Sequence, residues 1–304
     1  MRTTIPAWAL TAAAWALVPA PSAAAVRVVT TTADLAALAR EVGGDRVEVA
    51  AIAAGFQDPH FVDAKPSYLL QLQRADLFVQ VGLDLEVGWA PTLVGNARNA
   101  RILPGASGFV DASAGVAPLQ IPSGADRGAG DIHPYGNPHY WLDPANGKQI
   151  AANIAAGLER VDPAGAAFYG QRRAEFDARL DAALARWSER AGPLRDLPVV
   201  AYHNSWPYFE HRFGFRVVGF VEPKPGIPPS GKYVAELAAE MKRQGVKLIL
   251  MSTFYDQKTA KLVANLSGAR VVTLANSVEG FPEVKSYFDL FETNLSRLLA
   301  ALGE

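Results

Sequence analysis

The chain has 304 residues, 29 Lys and Arg against 30 Asp and Glu, and half of its residues are apolar. A net charge of −1 without any basic block excludes a nucleic-acid-binding face. The absence of cysteine excludes disulfides and thiolate metal sites, so a borderline metal has to be met by imidazole and carboxylate.

The first element is a leader. Met1-Arg2 gives a short positive start, 5–19 is apolar, and Ala23-Ala24-Ala25 is a small-residue cleavage site. This is the pattern of a secretory signal peptide over residues 1–25. The apolar stretch is too short and too broken by Pro to span a bilayer, and no cysteine follows it to carry a lipid. The expectation is a soluble periplasmic chain of about 280 residues, enough for one large domain or two lobes.

Residues 26–30 are an apolar, β-branched run, and Thr32 can cap a helix that ends at Gly43-Gly44. The run 47–52 reads as a second strand, 66–74 as a helix with Pro early, and 77–81 as a third strand. Segment 118–136 is rich in Gly, Pro, Ser and Asp and reads as a flexible surface loop. An Ala-rich helix follows over 144–158. In 163–190, Phe168, Phe176, Leu180, Leu184 and Trp187 lie near helical spacing, which predicts one long continuous helix. The alternation then restarts, with strands at 199–202, 215–221, 247–251 and 271–274 and helices at 206–213, 230–244, 257–266 and 286–302. Two β/α sets separated by one long helix predict an α/β fold of two lobes, 26–162 and 191–304. Each lobe has a mainly parallel sheet flanked by helices, and 163–190 links them.

Three of the five histidines have settings suited to one metal ion: His60 in Asp58-Pro59-His60-Phe61, His139 in Asn137-Pro138-His139-Tyr140-Trp141-Leu142-Asp143-Pro144, and His203 in Tyr202-His203-Asn204-Ser205-Trp206. Each lies just past an apolar run or at a Pro-marked boundary, and α/β sheets gather ligand groups at the carboxyl ends of strands. The cleft between the lobes is where the three could meet. Singly, such a histidine is more often a cap or a polar niche-filler; the three contexts together point to a metal. Neutral imidazole suits zinc, and three imidazoles leave one tetrahedral position over. A ligating ring passes its other N–H to an outer acceptor, and Asp58 and Asp143 are placed in sequence to serve His60 and His139. Asp143 reads equally as the cap of the helix that starts at Pro144, and Glu86 has the same two readings. The loop 118–136 carries Asp126, Asp131 and His133. It reads as a solvated linker with one stray histidine, the alternative being weak metal pick-up or contact with a periplasmic metal-delivery protein. His211 reads as an exposed polar residue. A zinc hydrolase would use a similar three-ligand site, but there is no His-Glu-x-x-His, no well-placed general base and no Gly-rich phosphate loop.

The segments Asp58-Pro59-His60, Ala75-Asp76-Leu77 to Gly82-Leu83 before Glu86, Asn137 to Pro144, Tyr202-His203, Pro229-Ser230 and 287–299 carry a resemblance. Over nearly all of its mature length the chain resembles the periplasmic zinc or manganese substrate-binding proteins of ABC transporters, cluster A-I. The resemblance implies two four-stranded lobes joined by one rigid helix and no enzymatic activity. It implies Zn(II) held between the lobes as cargo by a monomer and handed to an ABC permease of the inner membrane. It makes His60, His139 and His203 the imidazole ligands. The family's fourth ligand is usually an aspartate in a loop after the last strand. The pattern puts Asn276 there, a shift of a few residues brings in Glu279, and water or Glu222 remain open. A neutral amide counts against manganese, which prefers oxygen. Mn(II) is therefore the second candidate, beside a metal-dependent adhesin on the same fold.

Overall fold

Runs of Val, Leu and Ile make the strands, and Thr, Ser, Asp and Gly punctuate them. The structure, a computed structural model, describes residues 24–124, 133–224 and 226–303. The leader, apart from Ala24 and Ala25, lies outside the described residues, as do Asp126 and Asp131. In the first lobe β1 (Val26–Thr30), β2 (Val47–Ala51), β3 (Leu77–Gln80) and β4 (Phe109–Asp111) form a parallel sheet in the order β2-β1-β3-β4. In the second, β5 (Pro198–Ala201), β6 (Arg216–Phe220), β7 (Leu248–Ser252) and β8 (Arg270–Leu274) repeat the arrangement as β6-β5-β7-β8. The central strand β7, Leu-Ile-Leu-Met-Ser, is buried along its whole length, as expected of a parallel strand covered on both faces.

Helices α1 (Ala33–Gly43), α2 (Pro66–Arg74), α3 (Ala90–Asn96) and α4 (Asn146–Val161) flank the first sheet. Helices α6 (Pro207–Phe213), α7 (Gly231–Gln244), α8 (Gln257–Ser267) and α9 (Tyr287–Leu302) belong to the second. Thr32 caps α1, and Ser286 and Asp289 form a capping box on α9. Two elements go beyond the sequence expectation, α3 and the three-residue β4. The helix expected from Pro144 begins at Asn146, because Asp143 to Ala145 form a turn closed by Asn146 N–H on the Asp143 carbonyl at 3.0 Å.

The long helix α5 (Ala166–Arg190) has 25 residues and follows a single 3₁₀ turn at Pro163–Gly165. It buries Tyr169, Phe176, Leu180, Ala183 and Trp187, a stripe at helical period, while its other faces are charged. Phe176 meets Tyr287 and Trp187 meets Phe291, at ring-centroid distances of 6.4 and 5.2 Å. One hydrophobic cluster thereby runs from β1 and α1 through α5 into β5, β7 and α9. The two sheets share a core instead of swinging on a thin hinge.

The lobes are also clasped at the loop after β8. Gly55 approaches so closely that a Cβ there would lie 1.7 Å from the Val278 carbonyl oxygen. Beside it, Asp34 of α1 accepts from Val278 N–H at 2.9 Å and is bonded to the Ser277 hydroxyl. Burial lifts the Asp34 carboxyl to about 7, against the lowering effect of those hydrogen bonds. An acid raised in the folded state favours folding fully below its unfolded value of about 4, and that benefit is lost as pH rises towards about 7. Asp34→Asn copies the protonated form. Its melting temperature relative to the parent, both metal-free, is expected to climb from about pH 4 to 7 and then level off. The gain is at most about 1.4 kcal/mol per pH unit. A difference that stays constant between about pH 5 and 8 would contradict this reading of the clasp.

Candidate metal centre

The histidines of the site are positioned by a device that occurs twice in the sequence. In Asp58-Pro59-His60 the Asp58 Oδ1 accepts both the His60 backbone N–H at 3.0 Å and its ring Nδ1 at 2.7 Å. In Asn137-Pro138-His139 the Asn137 Oδ1 does the same, at 3.0 and 2.9 Å. Pro fixes φ between acceptor and histidine, so one oxygen holds both the turn and the ring. His203 follows β5, and its Nδ1 meets Glu222 Oε2 at 2.8 Å, Glu222 standing just past β6. With every Nδ1–H given to an outer acceptor, the lone pair of each ring is on Nε2.

The elements bring His60, His139 and His203 together, with one ligand atom from each lying within 4.8 Å of the others. Ring centroids are 5.2 Å apart for His60 and His139, 5.6 Å for His60 and His203, and 5.8 Å for His139 and His203. His60 Nε2 is buried without a hydrogen-bond partner. A buried, unpartnered nitrogen facing two others is costly as it stands and suits a cation. Burial, reinforced by the neighbouring rings, pushes His139 well below the usual imidazole range, so it is neutral and ready to ligate. Burial pushes the Asp58 carboxyl up, but the His60 ring and amide outweigh it and hold the group below the usual carboxylate range.

The neighbourhood corrects the sequence reading at several positions. Asp143 does not stand behind His139. It takes Arg212 in a two-pronged pair at 2.7 and 2.8 Å and accepts from Ala145 N–H in the turn before α4; Ala145, not Asp143, is the N-cap of that helix, so the capping reading is not realised either. Asn137 holds the His139 ring instead, and Glu222 serves His203 as an outer partner rather than a ligand. Asn276 is buried, but its Oδ1 is taken by the Ser252 hydroxyl at 2.6 Å and its carbonyl by Trp141 Nε1 at 2.8 Å. Glu279 is exposed, on a turn with φ of 66°. Among the described residues no carboxylate joins the three histidines. Glu86 is structural. Its carboxylate accepts from the Thr31 hydroxyl and Val81 N–H at 2.6 Å and from Gly82 N–H at 3.1 Å, tying together the ends of β1 and β3, and burial raises it to about 7. His133, read as a stray residue of a solvated linker, packs its ring 5.3 Å from that of His60, and burial lowers it to about 4. His211 is exposed, as expected.

A two-lobed α/β fold with an imidazole cluster between its sheets defines a class of metal-binding proteins. The family described as zinc-uptake complex component A, periplasmic, matches residues 28–301. The chain belongs to this family, that of the zinc/manganese substrate-binding proteins of ABC transporters, which are transport proteins and not enzymes. It is similar to the high-affinity zinc uptake system protein ZnuA of Brucella abortus, with 31% identity over 136 residues. That match takes in 45% of this chain and 41% of the relative, so the chain spans less than half of that relative's length. The manganese ABC transporter substrate-binding lipoprotein PsaA of Streptococcus pneumoniae is 26% identical over 289 residues, 92% of this chain and 89% of the relative. A crystal structure of ZnuA superposes with a TM-score of 0.77 at 23% identity, over 91% of this chain and 99% of that one. A Mn-bound periplasmic metal-binding protein from Candidatus Liberibacter asiaticus superposes at 0.75 with 19% identity, over the same shares. At these identities the likeness shows the fold.

Proposed function

We propose that the protein captures one Zn(II) ion as cargo between its lobes, through His60, His139 and His203, and delivers it to an ABC permease of the inner membrane. The observation that carries this is the convergence of three ligand atoms within 4.8 Å, each ring held from behind by its own acceptor. The donor set supports zinc over manganese. Imidazole nitrogen suits zinc, whereas Mn(II) favours the carboxylate and carbonyl oxygens that this trio lacks. Residues 1–25 fit a cleaved export signal and so a periplasmic destination. No helix among the described residues is long and apolar enough to cross a membrane.

Metal analysis of the full chain, followed by competition between Zn(II) and Mn(II), tests the proposal. One zinc per chain is expected, with manganese displaced by equimolar zinc. Retention of manganese against zinc would overturn the assignment of the cargo, and binding of neither ion would overturn the site.

A further inference from the structure

We propose that His133 is a fourth protein ligand of the captured cation, swinging in from the 133–136 turn to complete a four-imidazole site. This rests on the three-histidine reading of the centre and extends it.

Three imidazoles leave one tetrahedral position open, and the oxygen groups nearby are committed elsewhere. Asp58 holds His60, Glu222 holds His203 and also accepts from Gly226 N–H at 3.3 Å, and Asn276 is bonded to Ser252. Among the described residues, the further metal-binding side chain whose ring packs against the trio is His133. Its ring lies 5.3 Å from that of His60, within the 5.2 to 5.8 Å that separates the three rings from one another. Its ring contact is with His60 and not with the other two, so ligation requires the side chain to move inward.

The backbone under His133 is built. His133-Pro134-Tyr135-Gly136 is a β-turn closed by Gly136 N–H on the His133 carbonyl at 3.1 Å, with Pro at its second position. Gly136 has φ of 109°, and a Cβ there would meet Pro118 Cβ at 2.7 Å and the Leu119 carbonyl at 3.0 Å, so the turn is seated against that strand of loop and only Gly fits. The next residue is fixed three times. Asn137 N–H bonds the Leu119 carbonyl at 2.8 Å, its Nδ2 donates to the Asn204 carbonyl at 2.8 Å, and its own carbonyl accepts from the Tyr208 hydroxyl at 2.7 Å. The His133 ring is also within hydrogen-bonding reach of the backbone of Leu83 and Asp84. These are consecutive non-glycine residues at φ of 52° and 63°, a conformation that is uncommon and costs energy. A backbone carbonyl is one of the usual outer acceptors of a ligating imidazole. His133 thereby has, like His60, His139 and His203, a protein acceptor for one ring nitrogen.

Zinc affinity measured by competition with a chelator, and the visible spectrum of the Co(II)-loaded full chain, test this on the parent, His133→Ala and His139→Ala. The expected result is that His133→Ala weakens zinc binding by more than about tenfold, the lower bound for losing even an outer partner. Its Co(II) spectrum should shift as an oxygen replaces a nitrogen, with melting of the metal-free protein unchanged. If His133→Ala matches the parent in affinity and spectrum while His139→Ala loses binding, His133 is a neighbour only; the proposal falls and the three-histidine reading stands. A weakened affinity with an unchanged Co(II) spectrum would mean a supporting contact instead of a bond and overturns the proposal equally. If His139→Ala also binds like the parent, the underlying reading falls first. Should His133→Ala fail to fold, His133→Asn carries the same comparison.

Discussion

Replacing His139 by Ala is expected to weaken zinc binding by orders of magnitude, beyond the roughly 10–100-fold that loss of an outer-shell partner costs. His139 is buried, and its ring is fixed by Asn137 through both ring and amide. It is kept neutral by burial, so no proton has to leave it before it binds. No carboxylate among the described residues shares the site, so nothing there substitutes for the lost imidazole. Chelator competition should give a graded series. Asn137→Ala, which frees the ring but leaves it in place, should fall within the 10–100-fold range, and Glu222→Gln should lose less because an acceptor oxygen remains for His203. Parent-like affinity in His139→Ala would remove the site.

The largest expected effect on stability is at Trp141. Trp141→Ala should cost about 3–5 kcal/mol, the range for deleting a large aromatic from a core. The side chain is 2% exposed and stands between His139, 5.4 Å away ring to ring, and the loop after β8. Its Nε1–H donates to the Asn276 carbonyl, and its own carbonyl accepts from the Tyr287 hydroxyl of α9 at 2.7 Å. Losing the ring opens a void and orphans the buried Asn276 carbonyl, so the loop clasped by Asp34 loosens with it. Trp141→Phe keeps most of the volume and should cost about 1–3 kcal/mol for the unmet hydrogen bond. Urea denaturation of the metal-free protein measures both. A value for Trp141→Ala within about 1 kcal/mol of the parent would show that the residue does not join the lobes.

Much of this arrangement was legible in the residues. Apolar runs ended by Gly or by a capping Thr or Ser place most strands and helices within a few residues of where they fall. Helix α5 is legible because its buried positions keep a helical period over 25 residues. Strand β4 was not, since Phe109-Val110-Asp111 is too short for a period and becomes a strand only by pairing with β3. Helix α3, seven residues with Pro near its start and Gly95 inside, carries little signal of its own.

The three histidines announced themselves by Pro-marked boundaries, but their supports were legible only in part. The Asp58-Pro59-His60 pattern repeats as Asn137-Pro138-His139, and that repeat identifies Asn137, not Asp143, as the holder of His139. Glu222 reaches His203 across β6, and His133 reaches His60 through a turn fixed by Leu119, Asn204 and Tyr208. The first contact exists only once β5 and β6 have paired, and the second only once the lobes have packed.

The most direct test is zinc K-edge X-ray absorption of the zinc-loaded full chain, beside the variant in which His60, His139 and His203 are all Ala. The result expected is one zinc per chain, with nitrogen scatterers at about 2.0–2.1 Å and the outer-shell pattern of at least three imidazoles, lost in the variant. A shell dominated by oxygen, or a spectrum the triple variant leaves unchanged, would contradict the claim that these three rings hold the ion.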